Sequence, residues 1–357
     1  MSKIHAHIND SETPEAVRNL MQDFVKDFDN HNSDAWISEV KKRDSEHHRK
    51  TLLKQGRCDF DNPTHGLTPE ELICLYNYYY FPIHFQSSYW LFNQIWNKGF
   101  EELFITNYNP IFIDFGCGTL SSSVAFMSII EHNIQREITQ EFSWQKNKLN
   151  EFSYPIELPQ YFMTQDVAKM FYEDIGTNAL IDTSILELNL QTYIFIDTSH
   201  NLLDFARALM SSNRKDIFEV SDGHFVGWIQ LPKYNYIQSE NNLFAFEKHT
   251  HSTNSIVINF SYVFASESLI TTKIVDYVVK LIITNPKTNI CVFFQNPDLD
   301  QLNTKWEEFK EKVPLKSIIK DVVPIKHYDN SKVRYEVLFK SKFDDIFNDV
   351  ELSITKK

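Results

Sequence analysis

The chain has 357 residues, enough for one large domain with additions or for two domains, and its 42% hydrophobic content is ordinary for a globular protein. A formal net charge of −13 at pH 7 argues against a broad electrostatic footprint on DNA or RNA, while leaving room for a local basic patch. Four scattered cysteines with no C-x-x-C pair give neither a disulfide framework nor a cysteine zinc site, and no apolar run reaches the ~18 residues of a membrane span.

Residues 1 to 13 are polar, lack the apolar core of a signal peptide and are expected to be unstructured, which with the reduced cysteines implies a cytoplasmic protein. From Pro14 to Phe28, apolar residues at Val17, Leu20, Met21, Phe24, Val25 and Phe28 form the stripe of an amphipathic helix. Ser33 to Leu53 reads as a second, charge-rich helix carrying Lys41-Lys42 and His47-His48-Arg49-Lys50, taken as a solvated face, with contact to an acidic partner as the alternative. Thr68-Pro69-Glu70-Glu71 is a capping box that starts a strong helix. That helix runs into the aromatic stretch Tyr78 to Phe81, and Pro82 is expected to end it. A further helix then carries Phe85, Tyr89, Leu91, Phe92 and Ile95 and stops near Lys98-Gly99. The aromatic density reads as core packing, with the mouth of a site as the other account.

Pro110 to Phe115 suits a strand covered on both faces. Gly116 and Gly118 follow at once, then Ser121 to Ser123 and a helical pattern at Val124, Met127 and Ile130. This strand, glycine turn and helix start offer backbone N–H groups to a ligand, although a tight turn with no ligand gives the same pattern. Residues 135 to 190 show no clean strand and read as an insertion, with one helix at Gln165 to Asp174. A second strand-acid-helix unit spans Thr192 to Asp197 and Leu202 to Met210. A third short strand falls at Ile217 to Val220 or Val226 to Leu231, and a fourth at Ser255 to Ser261 before a helix from about Leu269 to Ile283. A fifth covers Asn289 to Gln295, ahead of a helix from about Asp300 to Lys312. Leu315 to His327 and Lys332 to Lys340 flank Asp329-Asn330-Ser331 as an antiparallel hairpin. Strands alternating with helices and closing on a hairpin give an open α/β sheet.

That order resembles the class I S-adenosylmethionine-dependent methyltransferases over about residues 108 to 341. Ile113-Asp114-Phe115-Gly116-Cys117-Gly118-Thr119 resembles their first motif, which implies Asp114, Gly116, Cys117, Gly118 and Thr119 around the methionine end of the cofactor. Ile196-Asp197-Thr198-Ser199-His200-Asn201 is similar to the second motif and implies Asp197, with Thr198 and Ser199, at the ribose. A carboxylate at a strand's carboxyl end also has the lone pairs to take two hydroxyl donors at once. The resemblance places Asn259, Ser261 and Tyr262, at the end of the fourth strand, at the methyl-transfer centre. Leu120 stands where many members have a third glycine. The lead-in Tyr78 to Phe85 with Tyr89 is similar to the methyltransferase-like proteins associated with the small ribosomal subunit, whose iron–sulfur cysteine set is not reproduced here.

The expected organisation is an N-terminal helical region (1–107), a Rossmann-like methyltransferase domain with a terminal antiparallel hairpin (108–345) and a large insertion after its first helix (135–190), and a tail (346–357). The expected activity is S-adenosylmethionine-dependent methyl transfer to an unidentified acceptor, with no metal. A non-catalytic binding or assembly factor, ribosome- or RNA-associated, is the alternative, and NAD could use the same loop and acid. Protein or RNA partners would meet the N-terminal region or the insertion. Neither a G-x-S-x-G elbow nor a Walker loop occurs, and the pairs His5/His7 and His249/His251 have no third ligand tied to them.

Overall fold

Runs of β-branched and aromatic residues build seven strands: β1 (Ile111–Phe115), β2 (Thr192–Asp197), β3 (Lys233–Gln238), β4 (Ser255–Ser261), β5 (Asn289–Pro297), β6 (Lys316–Pro324) and β7 (Lys332–Lys340). These come from a computed structural model that describes residues 3–98, 111–130, 192–216, 233–238, 255–265, 272–324 and 332–341. The strands form one sheet in the order β3-β2-β1-β4-β5-β7-β6. β1 to β5 are parallel, while β7 runs antiparallel to both β5 and β6. This is the Rossmann-like class I methyltransferase sheet with its terminal antiparallel hairpin. The third strand differs from expectation: it is Lys233–Gln238, where polar residues alternate with aromatics and mask the strand pattern. The insertion with its helix, both earlier choices for the third strand, the turn at 329–331, His249, His251 and the tail lie outside the described residues.

Side-chain alternation gives the sheet two unlike faces. One is mainly aliphatic, with Ile113, Ile194, Ile258 and Val292 packed under the helices Thr272–Thr284 and Asp300–Lys312, and carries Phe115, Phe260 and Phe294 at its strand ends. The other is aromatic, with Phe112, Tyr193, Phe195 and Phe293 packed against the N-terminal helices, the helix over 121–130 and the helix His200–Asp216. Following the same alternation, Asp114, Asp197, Asn259 and Gln295 all fall on the aromatic face, near the carboxyl ends of their strands.

The N-terminal part departs from expectation in three places. Lys3–Ile8 is helical and buries Ile4 in the same core as Met21 and Phe24 of the helix Glu15–Asn30, so an apolar contact orders a polar segment. The stretch from Ser33 to Leu53 is two short helical segments, 34–41 and 45–52, because the Ser33 and Asp44 side chains each accept a backbone N–H and cap a separate start. His48 in this stretch is buried, hydrogen-bonded to the Tyr79 hydroxyl (2.8 Å) and the Val40 carbonyl (2.9 Å), and is no part of a solvated face. Finally, Pro69–Trp96 is one helix of 28 residues running through Pro82. Proline inside a helix costs about 3 kcal/mol. Here Phe81, Ile83 and Phe85 on either side of it are buried in the core and hold the helix together.

The capping box forms as expected: Thr68 Oγ1 accepts the Glu71 N–H (3.2 Å), and the Glu71 carboxylate accepts the Thr68 N–H (2.9 Å) and the Ser33 hydroxyl. Glu71 is buried, so it cannot be replaced by water. Thr68→Ala should lower stability by about 1 kcal/mol. Glu71→Ala should lower it further, because it leaves two donors unsatisfied. Urea denaturation of the two variants checks the order, and equal losses would contradict the shared role of Glu71.

Candidate functional site

The strand order reverses between β1 and β4, and parallel sheets bind ligands in the crevice that such a reversal opens at the carboxyl ends. Gly116 and Gly118, at the end of β1, have φ of +63° and +52°. A Cβ on Gly116 would lie 2.6 Å from Val263 Cγ2, whereas one on Gly118 would meet nothing nearer than the Gly116 carbonyl at 3.9 Å. Gly116 therefore serves the packing of the loop, and Gly118 leaves a clear approach to its backbone.

Three N–H groups of the turn are already committed. Those of Gly116 and Cys117 donate to the Ile196 carbonyl (2.8 and 3.1 Å), and that of Gly118 donates to Asp197 Oδ2 (2.9 Å). The turn is thus fastened to β2 through these three groups. Leu120 takes a left-handed conformation (φ +64°), fully buried at the mouth of the helix over 121–130, with the strain falling where a third glycine would relieve it. Cys117 is buried, and burial together with Asp197 and Asp114 pushes its thiol well above the usual range, so it stays neutral.

Asp197 receives the Ser199 N–H on Oδ1 (3.0 Å) as well as the Gly118 N–H on Oδ2. Burial raises its pKa, with the backbone donors of Ser199 and Gly118 working the other way. The Thr198 backbone N–H bears on the same carboxylate, and of its roughly four lone-pair sites at least one stays open. The Thr198 carbonyl accepts the Gln238 amide (3.0 Å), which joins the end of β3 to the same corner. Ser199 also donates its hydroxyl to Asp61 (2.7 Å). Asp61 in turn accepts the backbone N–H groups of His200 and Asn201 (both 3.2 Å) and the Asn201 amide (3.0 Å). Burial acts to raise the Asp61 pKa, but these donors outweigh it and hold the carboxyl below its ordinary value. A carboxylate from the N-terminal region therefore caps the helix that follows Asp197.

Asp114 is fully enclosed. Ser123 donates to its Oδ2, and Asn259, its register partner on β4, donates to its Oδ1 (2.8 Å). Burial drives its pKa up to about 6 against the pull of these two donors. Asn259 is likewise buried, and its polar reach in this structure is toward Asp114. Ser261 accepts the Gln295 amide (2.6 Å). Tyr262, left-handed at φ +60°, donates to Ser87 (3.1 Å) and stacks on His84 with ring centroids 4.1 Å apart. Burial pushes His84 down to about 3, so its ring is neutral at pH 7.

Gln295, at the end of β5, is the hub of this side of the site. Its oxygen accepts the Ser87 hydroxyl (2.8 Å), and its amide reaches Ser261 and Ser88, with Ser122 close to Ser88 (2.7 Å) and Tyr335 close to Ser87 (2.8 Å). Sequence reasoning did not select Gln295, Ser87, Ser88, Ser123 or Asp61. Glutamine in a core position of the β5 alternation and adjacent serines inside an otherwise apolar helix were usable signals; Asp61 had none.

No protein-family model matches the chain, and no curated protein matches it either. Among solved structures it is similar to M. jannaschii TYW2 in complex with AdoMet, at 9% identity and TM-score 0.30, over 69% of this chain and 75% of that one. It is also similar to geranyl diphosphate methyltransferase in complex with GPP and sinefungin, at 8% identity and TM-score 0.32, over 78% of this chain and 85% of that one. The delta-N METTL16 MTase domain overlaps at 12% identity and TM-score 0.31, over 84% of this chain and 98% of that one. Likeness at these levels carries no function; any functional reading rests on the site itself.

Between its ordinary value of 3.8 and about 6, the folded chain holds a proton on Asp114 that the unfolded chain releases. The contribution of this group to stability therefore falls as pH rises through that window. Asp114→Asn should remove the slope, gaining on the native protein by about 1–3 kcal/mol between pH 4 and 7. Denaturation curves of both proteins across that range would be parallel if Asp114 titrated normally.

Proposed function

We propose that the protein binds S-adenosylmethionine at the crevice between β1 and β4 and transfers its methyl group to an acceptor held beside Tyr262. The observation that carries this reading is the convergence of Asp197, the Gly116–Gly118 turn and the Ser261–Tyr262 end of β4 at the switch point of a sheet with the methyltransferase strand order.

The donor set fits the cofactor. Asp197 keeps an open lone pair for a ribose hydroxyl, and Gly118 admits close approach. Two buried atoms at the loop, Thr119 Oγ1 and Asn259 Oδ1, have no hydrogen-bond partner among the described residues. A ligand end bearing both a carboxylate and an ammonium group would satisfy a hydroxyl donor and an amide acceptor together. NAD is less well served, because the N–H groups of Gly116, Cys117 and Gly118, which its pyrophosphate would draw on, are taken by Ile196 and Asp197.

When bound, the sulfonium group supplies an activated methyl, so the chain's part is positioning and exclusion of water. Gln295 fixes Ser261, Ser87 fixes the Tyr262 hydroxyl, and the neutral His84 ring backs the Tyr262 ring. Asp61 acts as a positioning residue, anchoring Ser199 and the start of the helix His200–Asp216 beside Asp197.

One observation favours a second reading, a binding or assembly factor without turnover. The Tyr262 hydroxyl, the Ser261 hydroxyl and the Asn259 amide are each engaged by another protein group, so none of these three is left to take a proton from the acceptor's nucleophile.

Calorimetry with S-adenosylmethionine and S-adenosylhomocysteine tests the site. Saturable binding is expected, weakened about 10- to 100-fold in Asp197→Ala, the loss of hydrogen bonds to a charged group. Asp61→Ala should weaken it by less while the circular dichroism of both variants stays native. No binding to a folded sample would refute the cofactor assignment, and binding without turnover on any acceptor would select the second reading.

A further inference from the structure

Asp197 is 6% exposed and Thr119 1%, so a ligand cannot reach either until something moves. On one side of this corner the long helix Pro69–Trp96 is locked in place by the Gln295 network. The segment 57–64, between the short helical segment 45–52 and that helix, is built differently. Left-handed residues occur in only two places among the described residues: at the site, as Gly116, Gly118, Leu120 and Tyr262, and at the two ends of this segment. Lys54, Gln55 and Gly56 (φ +46°, +57° and +88°) stand before it, and His65 and Gly66 (φ +63° and +73°) follow it. Lys54, Gln55 and His65 carry a Cβ and so hold a conformation they disfavour, and a few such loop positions suffice to let a segment swing.

Between these ends the segment is stiff. The Asp59 carboxylate accepts the backbone N–H groups of Asp61 (2.9 Å) and Asn62 (3.0 Å) and the Asn62 amide (3.2 Å), and Pro63 fixes its own φ. Across the corner its polar contacts fall on Ser199, His200 and Asn201. Asp61 takes the Ser199 hydroxyl, the His200 and Asn201 N–H groups and the Asn201 amide, and lies 3.0 Å from His200 Nδ1. The Phe60 carbonyl takes the same Asn201 amide (3.1 Å), and the Phe60 ring meets Tyr76 edge-on with centroids 5.3 Å apart. The segment sits beside the acid itself. Asp61 adds to burial in raising the Asp197 pKa, and the Tyr76 hydroxyl, raised mainly by burial, feels both Cys58 and Asp197. A stiff unit with a left-handed turn at each end, fastened by one carboxylate beside a buried ligand group, has the build of a closing loop.

We propose that the segment 57–64 is a clasp over the Asp197 corner, which swings on the left-handed residues at its two ends to admit and release the cofactor and is fastened by Asp61 on Ser199, His200 and Asn201. This rests on the cofactor reading for the ligand and goes beyond it in assigning how the buried site opens. Asp61 then governs the rates of exchange more than the affinity, because its hydrogen bonds hold the open, binding-competent form to a minor population.

Surface plasmon resonance of S-adenosylhomocysteine on the tethered full chain gives both rates. Asp61→Ala should speed association and release alike, each at least about 10-fold, the loss of hydrogen bonds to a charged group, while the affinity moves by less than either rate. Asp61→Asn, which keeps an acceptor without the charge, should fall between the two. Circular dichroism verifies the fold of both variants. Amide hydrogen exchange on the native protein, read residue by residue by NMR, gives a test that needs no variant. The ligand should slow exchange at His200 and Asn201, whose acceptor is Asp61, by at least about 10-fold, and leave Asp61 and Asn62, held to Asp59 within the segment, unchanged. Faster release with unaltered association would make Asp61 a positioning residue only, and unaltered exchange at His200 and Asn201 would show that nothing closes on the ligand. Either result overturns the clasp and leaves the cofactor reading intact. No binding of S-adenosylhomocysteine to the folded native protein would refute the cofactor reading itself, and the clasp as its gate.

Discussion

The site depends on the enclosure of one carboxylate. Asp114 sits at the centre of the sheet, on the strand where the order reverses, and is bonded to Ser123 on the following helix and to Asn259 on β4. A buried carboxyl with any partner missing would be costly, so β1, β4 and that helix are held to a single arrangement. The glycine turn lies between Asp114 and Ser123, and its path is fixed at both ends. From the loop the constraint passes to β2, through the N–H groups donated to Ile196 and Asp197.

A second polar centre performs the same task for the N-terminal region. Gln295 reaches Ser87 and Ser88 on the long helix while also holding Ser261 on β4, and Tyr335 of β7 closes the group through Ser87. Apolar packing alone would let a 28-residue helix slide or rotate on an aromatic sheet face. A satisfied buried network specifies one register, because a shifted helix would leave several hydroxyls without partners. The helix so placed brings His84 under Tyr262 and Tyr76 near Asp197. The N-terminal region is in this sense part of the site, and Asp61, capping the helix after β2, adds a third tie from the same region.

Polar residues carry these ties because alternation puts them on one face. Along β1, β2, β4 and β5 one face stays apolar to its end, where Phe115, Phe260 and Phe294 lie, while the aromatic face ends in Asp114, Asp197, Asn259 and Gln295 near the carboxyl edge. One side of the sheet is apolar to its edge and the other carries the buried polar groups. The same division explains why the helices lost from the sequence reading, Lys3–Ile8 and the continuation through Pro82, both belong to the aromatic side. There, large rings in tight contact compensate for poor local propensity.

The sequence by itself determined whatever local pattern controls: the alternating strands, the capping box at Thr68, the glycine turn after Asp114, the acid at the end of β2 and the closing hairpin. Each is decided within a few residues, by side-chain period, by φ at glycine or by a side chain reaching its own helix end. The tertiary structure alone decided which partner each polar group takes. Ser87 and Gln295 are 208 positions apart, and Asp61 and Ser199 are 138 apart, so no local signal ties them. It also decided the continuity of the helix at Pro82, the position of β3 and the left-handed Leu120, where burial and long-range hydrogen bonds outweigh the intrinsic preference of the residues involved.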